Sequence, residues 1–265
     1  KAVAVVSAND ACVMLAEHVS GSIEGFVARM NQRAAELGLQ NTKFLDCTGL
    51  EDNAYSSAMD VALVSRELLK HDKVKEYTTI WMDTLRNGQS ELVNTNRLVR
   101  FYKGTTGLKT GTTSAAGHCL AATAQRDDME LISVILGCQT STERFSGARK
   151  MLDYGFANYS VYVPKIDASL LKPVRVLHGV KWQVLPQADI PENLLLKKGQ
   201  ESQVKSTVTL SDSVEAPVVA GQVIGTVKLT LNDQEIASFS IRAAESVDRL
   251  TFWTAFQRLW QALVR

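Results

Sequence analysis

Thr106-Gly107-Leu108-Lys109-Thr110-Gly111-Thr112, His118-Cys119-Leu120-Ala121-Ala122-Thr123-Ala124 and Leu131-Ile132-Ser133-Val134-Ile135-Leu136 are three short runs, separated by Gly117 and by Asp127-Asp128. Runs of this length between Gly and Asp turns predict neighbouring antiparallel strands. Leu92 to Tyr102 reads as a further run of the same kind. Upstream the period changes to three and four: Ile23, Phe26, Val27, Met30, Ala34 and Leu37 share a helical face, and Gly38 stands where a C-cap belongs. Asp10 to Val19 reads as a second helix, and Ser57 with Asp60 as the capped start of a third that carries Val61, Val64 and Leu68. Ser141 to Tyr154 reads as a closing helix. Helices flanking an antiparallel sheet make an α+β domain, assigned to residues 1–162.

After Pro164 the pattern alternates: Val174 and Val176, Trp182 and Val184, Val227 with Leu229 and Leu231, Phe239 and Ile241. A small all-β domain is therefore expected over residues 163–244. Within it, Gly221-Gln222-Val223-Ile224-Gly225 lacks the Lys-Ser/Thr end and the following helix of a phosphate loop, and reads as a turn. Residues 245–265 return to helical spacing, with Leu250, Trp253, Phe256, Trp260, Leu263 and Val264 on one side and Arg249, Arg258 and Gln261 elsewhere. Aromatics opposite arginines predict an amphipathic helix lying in a membrane surface; packing against protein is the alternative.

Lys+Arg 29 against Asp+Glu 28 gives a formal net charge of +1, which excludes a global basic footprint for nucleic acid. The N-terminus holds no apolar run long enough for a signal or spanning helix. Ala2 to Val6 begins abruptly, as if the chain were entered partway through a buried element. Cys12, Cys47, Cys119 and Cys138 form no CxxC pair and read as buried thiols, with Cys119 and Cys138 meeting across a hairpin as the alternative. No Asp/Glu/His cluster has metal spacing, and no cofactor is expected. His18 and His71 read as surface or capping groups, and His118, which begins a strand, as a packed histidine, with contact to the functional site as the alternative.

The chemistry is sought in Lys109-Thr110-Gly111-Thr112. A lysine beside small hydroxyl residues and a glycine on a strand makes a flat cationic rail. The ammonium attracts a carboxylate, the hydroxyls donate to it, and the glycine lets a ligand backbone lie close. A Lys-Thr-Gly triplet occurs by chance in roughly one chain of this size in twenty, so alone it decides little. Ser7-Ala8-Asn9 is weaker still, since it would ordinarily serve as a helix cap. The pair carries more: a serine-x-asparagine ahead of a helix and a K-T-G strand about 100 residues later share the order, spacing and context of the later two motifs of penicillin-recognising serine enzymes.

With Leu37-Gly38-Leu39, Asn41-Thr42, Phe44, Gly49-Leu50 before Ser57, Ala116-Gly117 and Leu131-Ile132-Ser133-Val134 with Gly137, the chain resembles the bacterial serine D-alanyl-D-alanine carboxypeptidases, the low-molecular-mass penicillin-binding proteins. The resemblance runs on through the β domain and the terminal helix. It implies a β-lactamase-like transpeptidase domain, incomplete at its N-terminus. It implies acyl transfer on the D-Ala-D-Ala end of a peptidoglycan stem peptide through an acyl-enzyme that β-lactams trap. For single residues it implies proton relay by Ser7, a hold on the substrate backbone by Asn9, positive potential from Lys109, carboxylate contacts from Thr110 and Arg144, and room at Gly111. The backbone N–H of Thr112 would be half of an oxyanion hole. Its cellular place would be the outer face of the bacterial cytoplasmic membrane, toward the wall.

The family's S-x-x-K motif, which holds the nucleophile, belongs several dozen residues before Ser7. Ser202-Gln203-Val204-Lys205 spells it, but it follows the K-T-G strand and falls in the β domain, so it reads as coincidence. The nucleophile is therefore expected on a segment preceding Lys1, and this chain alone is expected to be inactive. Two rival readings remain: a β-lactamase, which needs a deacylating base before the K-T-G strand, and a nucleophile-free peptidoglycan-binding or scaffold module.

Overall fold

Ser22 accepts a hydrogen bond from the Gly25 N–H at 3.0 Å and Ser57 one from the Asp60 N–H at 3.1 Å, so side-chain caps start two of the helices. The computed structural model describes residues 1–191 and 193–263, the side chains of 257–259 and 261–263 excepted. The chain forms two compact units, Lys1–Asn158 and a second from Tyr159 onward.

The first unit runs α1 (Ala2–Val6), α2 (Asn9–Ser20), α3 (Ile23–Glu36), α4 (Ala58–Leu68), α5 (Asp72–Thr78), β1 (Met82–Leu85), β2 (Ser90–Val93), α6 (Leu98–Phe101), β3 (Thr105–Thr113), β4 (Gly117–Arg126), β5 (Met129–Cys138) and α7 (Ser141–Asn158). The strands β3, β4 and β5 form an antiparallel sheet in that order, with Lys109 opposite Ala121 and Thr112 opposite His118. α7 packs on β4 and β5, burying Ala148 and Leu152, while α4 packs on β5 and α5 on β3. At the turn between β3 and β4, Gly117 has φ +64°, and a Cβ there would stand 2.7 Å from the Cys138 carbonyl oxygen, so only glycine closes the hairpin.

Several expectations change. Leu92 to Tyr102 is not one strand: β2 ends at Val93, and after a loop the chain turns into α6. The cause is polar. The buried Asn94 side chain donates to the Ile80 carbonyl at 2.7 Å and accepts from the Asn96 N–H at 2.8 Å. Asn96, 1% exposed, donates to the Gly107 carbonyl at 2.9 Å and accepts from the Leu98 N–H at 3.1 Å. Two asparagines thus occupy backbone groups that a strand ladder would need. α5 and the β1–β2 hairpin have no counterpart in the sequence reading, and α7 extends four residues past Tyr154. The cysteines are free and half-buried, not buried, and Cys119 and Cys138 do not pair. His71 precedes α5 without a side-chain cap.

The second unit holds β6 (Tyr159–Tyr162), β7 (Val174–Leu177), β8 (Gln183–Val184), β9 (Pro186–Ala188), β10 (Leu194–Lys197), β11 (Val204–Leu210), β12 (Ser213–Glu215), β13 (Val223–Leu231), β14 (Gln234–Ala243) and α8 (Phe252–Leu263). Its sheets run β11-β13-β14-β9, β12-β7-β8 and β10-β6. Val176, Val184, Val218, Ile224, Val227, Leu229 and Ile241 close a common core. Trp182 departs from the expected alternation and is 73% exposed. On α8, Phe252 stacks on Phe256 and Phe256 on Trp260, all exposed; Arg258, Gln261, Leu263 and Val264 lie outside the described side chains. No described helix is long and apolar enough to cross a membrane.

Replacing Asn96 by Leu leaves the Gly107 carbonyl and the Leu98 N–H buried without partners. The expected loss is about 2–4 kcal/mol, read from the urea midpoint of unfolding, and an unchanged midpoint would refute the assigned network.

Candidate active site

Ser7 ends α1 with φ 59° and ψ 42°, a left-handed conformation uncommon for a residue with a Cβ. That sharp turn sets α1 against α2 and presents the Ser7 hydroxyl to β3. Lys109 Nζ donates to Ser7 Oγ at 2.7 Å and to the Thr110 carbonyl oxygen at 2.7 Å. The hydroxyl and the ammonium, 102 positions apart in the chain, thus share one hydrogen bond. Burial pushes the Lys109 ammonium below its ordinary pKa and the positive charge of Arg144 adds to the shift, against an opposing effect of Cys12. Such an ammonium releases its proton more readily than a solvated lysine does.

On the same strand, the buried Thr110 hydroxyl donates to Thr95 Oγ1 at 2.7 Å. Arg144, 7% exposed, reaches back from the first turn of α7. Its Nη1 contacts the Gly111 carbonyl and Thr112 Oγ1, each at 3.0 Å, and the Cys119 carbonyl at 3.2 Å, while its buried Nε has no partner among the described residues. Burial is also the main cause that lowers the Arg144 pKa, with Cys119 opposing and the charge of Arg97 contributing. Lys109, Arg144 and Arg97 therefore place positive charge about the rail, and no carboxylate stands among the groups that shift Lys109 or Arg144. The arrangement suits an anionic ligand end.

Gly111 is exposed, and a Cβ there would meet nothing closer than Cys119 Cβ at 4.0 Å. The fold itself does not demand glycine at this position, and the space beside the backbone is open. Next to it opens a cavity of about 620 Å³, lined by Phe44, Asp46, Cys47, Tyr55, Ala116 and Cys119 among others. Its Asp46–Leu50 wall is tied by the Asp46 carboxylate, which accepts from Thr48 Oγ1 at 2.5 Å, the Leu50 N–H at 2.8 Å and the Gly49 N–H at 2.9 Å. Burial alone would raise the Asp46 pKa, but these donors outweigh it and the net shift is downward.

Ser7, Lys109, Thr110, Gly111, Thr112 and Arg144 thus come together. Asn9, the first residue of α2, is exposed, and its side chain has no hydrogen-bond partner among the described residues. His118 Nδ1 lies 3.3 Å from Thr112 Oγ1, at the rim of the rail. The sequence reading missed Thr95 and Arg97, which belong to no motif. Ser202–Lys205 begins in the one-turn 3-10 helix Glu201–Gln203 and runs into β11. A second S-x-x-K, Ser169–Lys172, escaped notice and begins in the 3-10 turn Ala168–Leu170. Both lie in the second unit, and neither starts an α-helix.

Residues 1–140 match the family model described as D-alanyl-D-alanine carboxypeptidase, and residues 165–249 the one described as penicillin-binding protein 5, C-terminal domain. The chain is 38% identical over 263 residues to the D-alanyl-D-alanine carboxypeptidase DacF of Bacillus subtilis, covering 97% of this chain and 68% of that protein. It is 36% identical to DacC of Escherichia coli, covering 98% and 65%. Penicillin-binding protein 5 of Haemophilus influenzae superposes with a TM-score of 0.80 at 34% identity, covering 93% of this chain and 73% of that one. Penicillin-binding protein D2 of Listeria monocytogenes, solved in a cefotaxime-bound form, superposes with a TM-score of 0.55 at 35% identity over 58% of this chain and 64% of that one. The chain spans about two thirds of the length of these curated relatives.

A lysine whose pKa is lowered on folding binds its proton more weakly in the native state than in the unfolded one. Stability then rises with pH between the lowered value and the ordinary 10.5. Lys109→Met removes that slope. Urea midpoints measured from pH 7 to pH 11 are expected to climb for the wild type across this window and to stay flatter for the variant; parallel profiles would contradict the burial of the ammonium.

Proposed function

The chain belongs to the D-alanyl-D-alanine carboxypeptidase family, and from that membership we propose that it forms the substrate-binding and proton-relay side of a serine acyl-transfer site for the D-Ala-D-Ala ends of peptidoglycan stem peptides. The observation that carries the reading is the hydrogen bond from Lys109 to Ser7, on a strand whose next residues meet Arg144. The terminal carboxylate of the peptide lies by the Thr110 hydroxyl, the Thr112 hydroxyl and the Arg144 guanidinium. Gly111 lets the peptide backbone run beside β3, and the Asn9 amide holds it from the α2 side. A serine of the S-x-x-K motif, on a segment preceding Lys1, attacks the scissile carbonyl, and the Thr112 N–H is one of two donors to the oxyanion.

Expulsion of D-Ala needs a proton on its amine. Ser7, bonded to an acidified lysine, passes one across, and Lys109 replenishes it. Water then releases the shortened peptide. Cefotaxime is bound in the Listeria relative, and β-lactams carry a carboxylate beside a reactive carbonyl, so the same rail is expected to seat them. The exposed Phe252, Trp253, Phe256 and Trp260 of α8 support a peripheral place on the outer face of the cytoplasmic membrane. In this reading residues 1–162 are the later part of the catalytic domain, 163–244 an all-β spacer and 245–265 the membrane-surface segment.

A second reading, a nucleophile-free peptidoglycan-binding module, is favoured by one observation: both S-x-x-K sequences begin in single 3-10 turns of the second unit. Intact-mass spectrometry under denaturing conditions, before and after benzylpenicillin, separates the two. A separate smaller polypeptide that gains the drug mass supports the carboxypeptidase; a lone 29.1 kDa species without adduct supports a truncated or binding-only chain. In protein that does label, Lys109→Ala is expected to reduce labelling at least 100-fold, as for loss of a catalytic proton-transfer group; undiminished labelling sinks the relay assignment.

A further inference from the structure

We propose that Thr95 is a positioning residue whose hydroxyl sets the direction of the Thr110 hydroxyl and thereby sharpens recognition of a ligand carboxylate. The inference rests on the carboxylate-binding reading given above. Thr110 is buried, 7% exposed, and its Oγ1 donates to Thr95 Oγ1 at 2.7 Å. In that state its proton points away from any ligand. To donate to a carboxylate the proton must swing, and a buried hydroxyl that swings loses its partner unless that partner can reverse roles. Thr95 can: a threonine hydroxyl is both donor and acceptor, so when Thr110 donates to the carboxylate, Thr95 donates back to Thr110 Oγ1. The carboxylate then meets a hydroxyl that is itself accepting a hydrogen bond, which strengthens its donation.

The position of Thr95 is fixed more firmly than its exposure suggests. Its N–H donates to the Val5 carbonyl at 3.0 Å, joining it to α1, the helix that ends at Ser7. On either side, the buried Asn94 and Asn96 side chains hold the backbone to Ile80, Gly107 and Leu98. One short segment therefore connects the serine turn, the strand that carries Lys109 and the hydroxyl that meets the carboxylate. Removing the Thr95 hydroxyl leaves this frame in place and frees only the Thr110 rotor.

The test is a titration of the chain, followed by NMR chemical shifts, with N-acetyl-D-alanyl-D-alanine and with its C-terminal amide. Thr95→Val is expected to weaken the acid about 5- to 10-fold, from loss of a charge-assisted hydrogen bond, and the amide less than twofold. Thr95→Ser is expected to retain the wild-type preference. Thr110→Val is expected to show the same loss, and Thr95→Val added to it no further loss, because the first residue acts through the second. Equal weakening of both ligands by Thr95→Val, or a full additional loss in the double variant, overturns the positioning role while leaving the carboxylate reading intact. A wild-type chain with no preference for the acid overturns that reading and this inference with it.

Discussion

The half-buried ammonium of Lys109 is the constraint on which the rest of the first unit depends. An ammonium partly withdrawn from water needs hydrogen-bond acceptors close by, and here two oxygens meet it, Ser7 Oγ and the Thr110 carbonyl. The bond to Ser7 joins the left-handed turn after α1 to β3, where Lys109 stands opposite Ala121. The cost of desolvation lowers the pKa of the group, so it holds its proton more loosely than a solvated lysine. Arg144 completes the arrangement from the other end. It crosses to both β3 and β4 through three oxygens and so keeps a second positive charge beside the first.

Much of the architecture was legible because it follows local rules. The β3-β4-β5 sheet lay in runs bounded by Gly117 and Asp127-Asp128, α3 announced itself through its apolar period and Gly38, and α4 through its serine cap and apolar residues. The α+β class and the all-β second unit follow from those runs. What failed were places where side chains replace backbone pairing. Leu92 to Tyr102 has the composition of a strand, yet Asn94 and Asn96 turn it into a loop and a short helix, through partners at Ile80 and Gly107 that no local window contains. The α5 helix and the β1–β2 hairpin are short and carry weak period, and tertiary contacts decide them.

The site divides in the same way. Lys109, Thr110, Gly111 and Thr112 stood out as a polar rail on a strand, while Ser7 and Asn9, which alone read as a helix cap, stood out only through their order and spacing to that strand. Arg144 came only through the family resemblance. Thr95 and Arg97 carried no signal, since their roles arise from where the asparagine network holds the chain. Exposed α8 aromatics were legible as a helical stripe, while the half-buried state of the four cysteines was not, because thiol burial depends on neighbours distant in sequence.

The backbone at Ser7 limits which amino acids can stand there in a way that its hydroxyl chemistry does not. Threonine offers the same oxygen, but its branched Cβ is ill suited to φ 59°, where crowding against the backbone is greatest. Glycine, asparagine and aspartate enter the left-handed region readily, and none of them supplies a hydroxyl. Geometry and chemistry therefore overlap on a single member of the genetic alphabet. A chain that drifted away from serine at this turn would have to surrender either its shape or the hydroxyl that meets Lys109.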